Sequence, residues 1–107
     1  MISSLEKLLG TPRDGALLRY SLGLEYAKAG EREKAIGFLR DAVTRDPLYS
    51  AAWKALGGEL AASGRADEAL DAYRRGIDAA QAKGDRQAEK EMTVFARRLE
   101  KQEVQKP

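Results

Sequence analysis

The chain has 107 residues and a formal net charge of +2, from 19 Lys and Arg against 17 Asp and Glu. With 43% hydrophobic and 34% charged residues it has a globular balance, enough for one domain around a single thin core. The charge excess is too small to predict nucleic-acid binding, and no apolar run reaches the roughly 18 residues of a membrane span; without Cys or His there are no disulfides, thiolate nucleophiles, Ser-His triads or common zinc ligands.

The first segment, residues 1–15, is expected to be helical. Ser3-x-x-Glu6 matches a capping box that would open a short helix carrying Leu5, Leu8 and Leu9, and Thr11-Pro12 matches an N-cap followed by Pro at the first helical position. Met1 to Gly10 lack a basic stretch followed by an apolar core, so a signal peptide is not predicted and a cytoplasmic location is the expectation.

From residue 16 the apolar residues fall at helical spacing. Leu18, Leu22 and Tyr26 define a helix that ends at Ala29-Gly30; Ala35, Ile36, Leu39, Ala42 and Val43 define a second, stopped by Asp46-Pro47. The first of these carries another apolar stripe. At about 100° per residue, Leu17, Tyr20, Leu24 and Ala27 point roughly away from Leu18, Leu22 and Tyr26. One stripe suffices to pack against a companion helix, so the other needs a cover. Ala52, Trp53, Leu56 and Leu60 then carry a third helix to Ser63-Gly64, and Ala69, Leu70, Tyr73, Ile77 and Ala80 a fourth, which has no Pro to end it and is expected to run past Ala80. Asp85 is expected to start a terminal helix with Ala88, Met92, Phe95, Ala96 and Leu99 on one face and charges on the other, followed by a frayed tail at 103–107.

Sliding the chain by 34 residues superimposes Leu22 on Leu56, Gly23 on Gly57, Glu25 on Glu59, Ala27 on Ala61, Gly30 on Gly64, Ala35 on Ala69 and Arg40 on Arg74. Each unit reads as helix, Gly-containing turn, helix, with Gly23 facing Ala35, and Gly57 facing Ala69, where two antiparallel helices would approach closely. Trp53-x-x-Leu56-Gly57, Gly64, Ala69 and Tyr73, matched in the first unit by Leu22-Gly23, Tyr26, Gly30, Ala35, Leu39, Ala42 and Pro47, resemble the tetratricopeptide repeat. The departures are Arg19 in place of a large aromatic, Leu60 for Tyr, Gly76 for Ala and Gln81 for the closing Pro. The resemblance implies an all-α fold of antiparallel helix-turn-helix repeats stacked as a short right-handed α-solenoid. The expected organisation is an N-terminal segment at 1–15, repeats at 16–49 and 50–83, and a capping helix at 84–102.

In such repeats the first helices line a concave groove. The resemblance thus implies a protein or peptide partner at Leu17, Tyr20, Leu24, Ala27, Lys28, Ala51, Lys54, Gly58 and Ala61. The family's clamp for C-terminal carboxylates needs Lys and Asn where this chain has Tyr20 and Leu24, so chaperone tails are not expected ligands. The alternative is that the N-terminal segment or a second copy covers the apolar stripe, the latter giving a homodimer.

No catalytic chemistry is expected. Glu31 with Glu33 and Glu89 with Glu91 diverge on a helix and read as solvated faces, and no glycine-rich phosphate cradle, metal or cofactor motif occurs. Trp53 and Tyr73 sit at core spacing, not as a base-stacking platform, and the doublets Arg74-Arg75 and Arg97-Arg98 lie among acids. A membrane-surface role for residues 3–10 is not expected, since that segment has no cationic face.

Overall fold

In the computed structural model, which describes residues 1–105, six helices follow one another without strands: α1 (Ile2–Glu6), α2 (Ala16–Lys28), α3 (Arg32–Arg45), α4 (Ser50–Ala62), α5 (Ala66–Lys83) and α6 (Arg86–Gln105). They form two antiparallel hairpins, α2–α3 and α4–α5, and a single further helix, stacked side by side into a slab of 46 × 32 × 18 Å. This is a short helical solenoid, as the repeat implied.

The turns have one chemistry. Gly30, Gly64 and Gly84 each adopt a positive φ of 71–78°, a region open to Gly at no steric cost. At each, the Gly N–H and the next N–H donate back into the last helical turn: Gly30 to Ala27 and Glu31 to Tyr26, Gly64 to Ala61 and Arg65 to Leu60, Gly84 to Gln81 and Asp85 to Ala80. These are complete Schellman caps, which satisfy carbonyls that would otherwise lack donors.

Within the hairpins the helices nearly touch. A Cβ on Gly23 would stand 2.6 Å from Leu39 Cγ, and one on Gly57 would stand 2.5 Å from the Tyr73 ring. Gly76 serves the next joint: a Cβ there would collide with the Met92 sulfur of α6 and the Trp53 Cβ of α4. The departure of Gly76 from the repeat pattern is therefore a packing requirement of the terminal helix. Leu22, Leu39, Leu60 and Met92 are the largest fully buried side chains, each stabilising by roughly 1.5–3 kcal/mol.

Arg19, in place of the usual aromatic, is held between layers. Its guanidinium donates to both Asp14 oxygens, at 2.9 and 2.8 Å, and to Asp41 at 3.0 Å, and it lies 5.8 Å over the Phe38 ring, which stacks on Tyr26. The Arg19 hydrogen bonds, with that of the Gly10 N–H, hold the Asp14 carboxyl far below the ordinary carboxylate range. Between the hairpins, Arg40 donates to Glu68 at 2.7 Å, while Arg65 bonds both Glu68 and Glu33.

Three expectations need correction. The Ser3–Glu6 capping box does not form: Met1 is the N-cap, without a side-chain bond, and Glu6 instead accepts the Tyr26 hydroxyl at 2.9 Å. Thr11-Pro12 does not open a helix, because α2 begins at Ala16 and residues 7–15 run through turns; Thr11 Oγ1 donates to the Leu8 carbonyl, a local bond that closes a turn in place of capping. At the other end α6 extends to Gln105, so helix covers residues 103–105 of the expected frayed tail; residues 106 and 107 lie outside the described residues.

Two outcomes follow for stability. Gly37, exposed in mid-α3 with nothing within 4 Å of an added Cβ, should gain about 0.5–1 kcal/mol as Gly37→Ala in urea unfolding, whereas Gly57→Ala should lose about 1–3 kcal/mol to overpacking against Tyr73. Equal signs would contradict the close approach. The second concerns acid. The Arg65 and Arg40 hydrogen bonds hold the Glu68 carboxyl at about 2 against an ordinary 4.5. A carboxyl depressed on folding contributes stability that is present above its unfolded value and lost as pH falls through its folded one. Urea midpoints should accordingly drop as pH falls from about 4.5 to 2, with Glu68→Gln flattening part of that drop. The effect should be modest, since Glu68 and Arg40 are half in solvent and Arg65 about a third.

Candidate functional site

The leading helices α2, α4 and α6 adjoin one another, and α3 and α5 pack behind the first two. Buried positions define their register. Leu18, Leu22 and Tyr26 in α2 correspond to Ala52, Leu56 and Leu60 in α4, and to Ala88, Met92 and Ala96 in α6. The first step is 34 residues and the second 36, because α5 runs to Lys83. The terminal helix is thus a third leading helix, which an unbroken 34-residue slide does not reveal.

The nine predicted groove residues lie on α2 and α4, in different states. Leu17 is 69% exposed, and Leu24 is half-buried beside it on α2. Tyr20 is half-buried, its ring 4.9 Å from that of Tyr49, so it closes the joint to the second hairpin. Ala27 packs against the Leu18, Leu22, Tyr26 and Ala35 cluster, and Ala61 against the larger core. Ala51 and Gly58 are half-buried on α4. Both lysines have acids: Lys28 lies 3.8 Å from Glu25, and Lys54 donates to Glu91 at 3.0 Å, tying α4 to α6.

The N-terminal segment packs elsewhere. Ile2, Leu5, Leu8 and Leu9 lie against the Leu18, Leu22, Tyr26 and Ala35 cluster, on the stripe of α2 that faces the core. Leu17 on the second stripe stays in solvent.

The third leading helix adds residues that sequence reasoning missed. By the 36-residue step, Gln87, Lys90 and Val94 occupy the positions of Ala51, Lys54 and Gly58, and Val94 is 46% exposed. A signal existed in Ala88, Met92 and Ala96, which repeat the spacing of Leu18, Leu22 and Tyr26 once two residues are inserted.

A depression lies between α3 and α5, floored by Val43, Leu56 and Leu60 and rimmed by Arg40, Asp67 and Glu68. Its rim is bridged by the Arg40–Glu68 pair. Trp53 borders it but is buried in the core, with its indole N–H donating to the Pro47 carbonyl at 2.8 Å, so it is no stacking platform. No described helix is long and apolar enough to cross a membrane.

These features define a short helical-repeat solenoid whose leading helices adjoin one another. Residues 15–100 match the family described as the bacterial transcriptional activator domain. A TPR repeat-containing protein of Pseudomonas aeruginosa is 48% identical over 101 residues, which cover 94% of this chain and 96% of that one. Human tetratricopeptide repeat protein 7A is 38% identical over 60 residues, 56% of this chain but 7% of its own length. Among solved structures, a Bordetella parapertussis protein superposes with a TM-score of 0.82 at 40% identity, covering 97% of this chain and 90% of that one. A tetratricopeptide repeat domain protein from Salinibacter ruber gives 0.76 at 26% identity, covering 81% and 97%. The chain belongs to the tetratricopeptide-repeat family, and its residues 15–100 to the bacterial transcriptional activator domain family.

Proposed function

We propose that the protein is a cytoplasmic, non-catalytic interaction module that holds a peptide or protein segment against its leading helices. The observation that carries this reading is the second apolar stripe of α2: Leu17 is 69% exposed and Leu24 half-buried, although the N-terminal segment packs close by on the other stripe. Apolar side chains left open on a rigid helical face are surface for association. Binding energy would come from covering Leu17, Leu24 and the small surface at Ala51 and Gly58, where a ligand backbone could approach closely. Because Lys28 and Lys54 already face acids, their charges contribute less to attracting a ligand than an unpaired lysine would.

Leu17→Glu tests this reading. The side chain stands in solvent, so its replacement should shift stability by no more than about 0.5 kcal/mol in urea unfolding. Affinity capture from the source cell's lysate should then lose the proteins that the wild type retains. Unchanged capture would remove the stripe from the site. A doubled mass in sedimentation for the wild type alone would replace a foreign ligand with a second copy.

A further inference from the structure

The surface that each leading helix offers to the next hairpin in the stack is set by three contacts. On α2, Tyr20 receives Tyr49, which precedes α4. On α4, the Ser50 hydroxyl donates to Asp85 at 3.1 Å, and Lys54 donates to Glu91 of α6 at 3.0 Å. Small residues complete the stripe at Ala27 and Ala61, both packed against core. Shifted by the 36-residue step, the Ser50, Lys54 and Ala61 positions become Arg86, Lys90 and Arg97 on α6.

On α6, whose described helix contacts are with α4 and α5, the stripe has changed character. Arg86, Lys90, Arg97 and Lys101 lie within about 60° of one another and run for about 22 Å along the helix. All four are exposed, and none makes an ion pair or side-chain hydrogen bond with a described residue. Elsewhere on α6 the acids are engaged: Glu91 with Lys54, Glu100 with Arg74 at 3.8 Å, and Glu89 with Gln81. Thr93 and Val94 sit beside the cations, and with Arg86, Glu89, Lys90 and Arg97 they line a shallow depression to which no other helix contributes.

We infer that this stripe is a docking surface for an acidic amphipathic helix of another protein, which stacks on α6 as α6 stacks on α4. The Lys54–Glu91 pair supplies the template. Where the chain itself stacks one leading helix on another, it sets an acid of the incoming helix against the lysine of the receiving one, and Lys90 stands in register with Lys54. Arg86 and Lys90, and Arg97 and Lys101, are each one helical turn apart with two turns between the pairs; they call for carboxylates at matching spacing, and Val94 offers an apolar spot between them. A second copy is a poor occupant face to face, because its own α6 would bring like charges together. The inference rests on the groove reading, since Lys90, Val94 and Arg97 stand in register with the groove positions Lys54, Gly58 and Ala61, but it concerns α6 and needs neither Leu17 nor Leu24.

The probe is a synthetic peptide of about 15 residues, the stripe's length at helical rise, with Glu every fourth residue and Leu beside it. Controls are a scrambled peptide of equal composition and a duplex DNA oligonucleotide. Fluorescence anisotropy should show the patterned peptide binding several-fold tighter than the scrambled one, and Lys90→Glu with Arg97→Glu should weaken it by about tenfold. A peptide with Lys in place of Glu should restore binding to that double variant. Amide shifts in NMR should map to Thr93, Val94 and Arg97. Circular dichroism guards against misfolding of the variant, in which only exposed side chains change. Equal affinity for the scrambled peptide, tighter binding of DNA, shifts centred on Leu17 and Leu24, or a sedimenting dimer lost in the double variant would each overturn the inference.

Discussion

The structure depends on helices approaching closely where a side chain has been removed. Gly23 admits Leu39, Gly57 admits the Tyr73 ring, and Gly76 admits Met92 and Trp53. Each glycine sits inside a helix, where it costs about 1 kcal/mol relative to Ala, and each is offset by the large side chain that fills the space. The three sites form a chain of joints: first hairpin, second hairpin, terminal helix. Apolar burial supplies the stabilisation, but these notches fix which residues bury which. The glycines that a neighbour does not need, such as Gly37, stand over open space, so the pattern distinguishes joints from ordinary helix positions.

Much of this was legible in the residues. The 34-residue self-match located both hairpins, and the repeated Gly23 and Gly57 located their closest approach, although Gly57 meets Tyr73 and not the expected Ala69, because a repeated physical need leaves a repeated residue. The N-terminal segment was misread because local capping signals compete with tertiary contacts. Glu6 is drawn to the Tyr26 hydroxyl and Thr11 to a turn carbonyl, so neither caps a helix. The terminal helix was seen as a cover and not as a third leading helix, because α5 lacks a closing Pro and its overrun shifts the phase by two residues. A pattern defined by a fixed offset is blind to an insertion, although the spacing within the inserted unit is intact.

The candidate site was less legible, for a different reason. A helical wheel assigns faces but not neighbours. Leu17 and Tyr20 share the outer stripe of α2, yet one is in solvent and the other closes on Tyr49, a residue in the preceding turn of the next hairpin. Lys54 and Lys90 are equivalent in the stack, yet one meets Glu91 and the other nothing described. Such differences arise from which element comes next in space. They decide how much of a repeat's surface remains for a partner, and so the same scaffold presents an apolar stripe near one end and a cationic one at the other.

Every contact between helices joins elements that are adjacent or one apart in chain order: α1 with α2, α2 with α3 and α4, α3 with α4, α4 with α5 and α6, and α5 with α6. No helix has to await a strand or helix made much later. As the polypeptide leaves the ribosome, each new rod finds its receiving surface already made, and α1 has its whole seat once the first hairpin has emerged. The architecture can therefore be laid down in the order of translation, course upon course, without a late rearrangement.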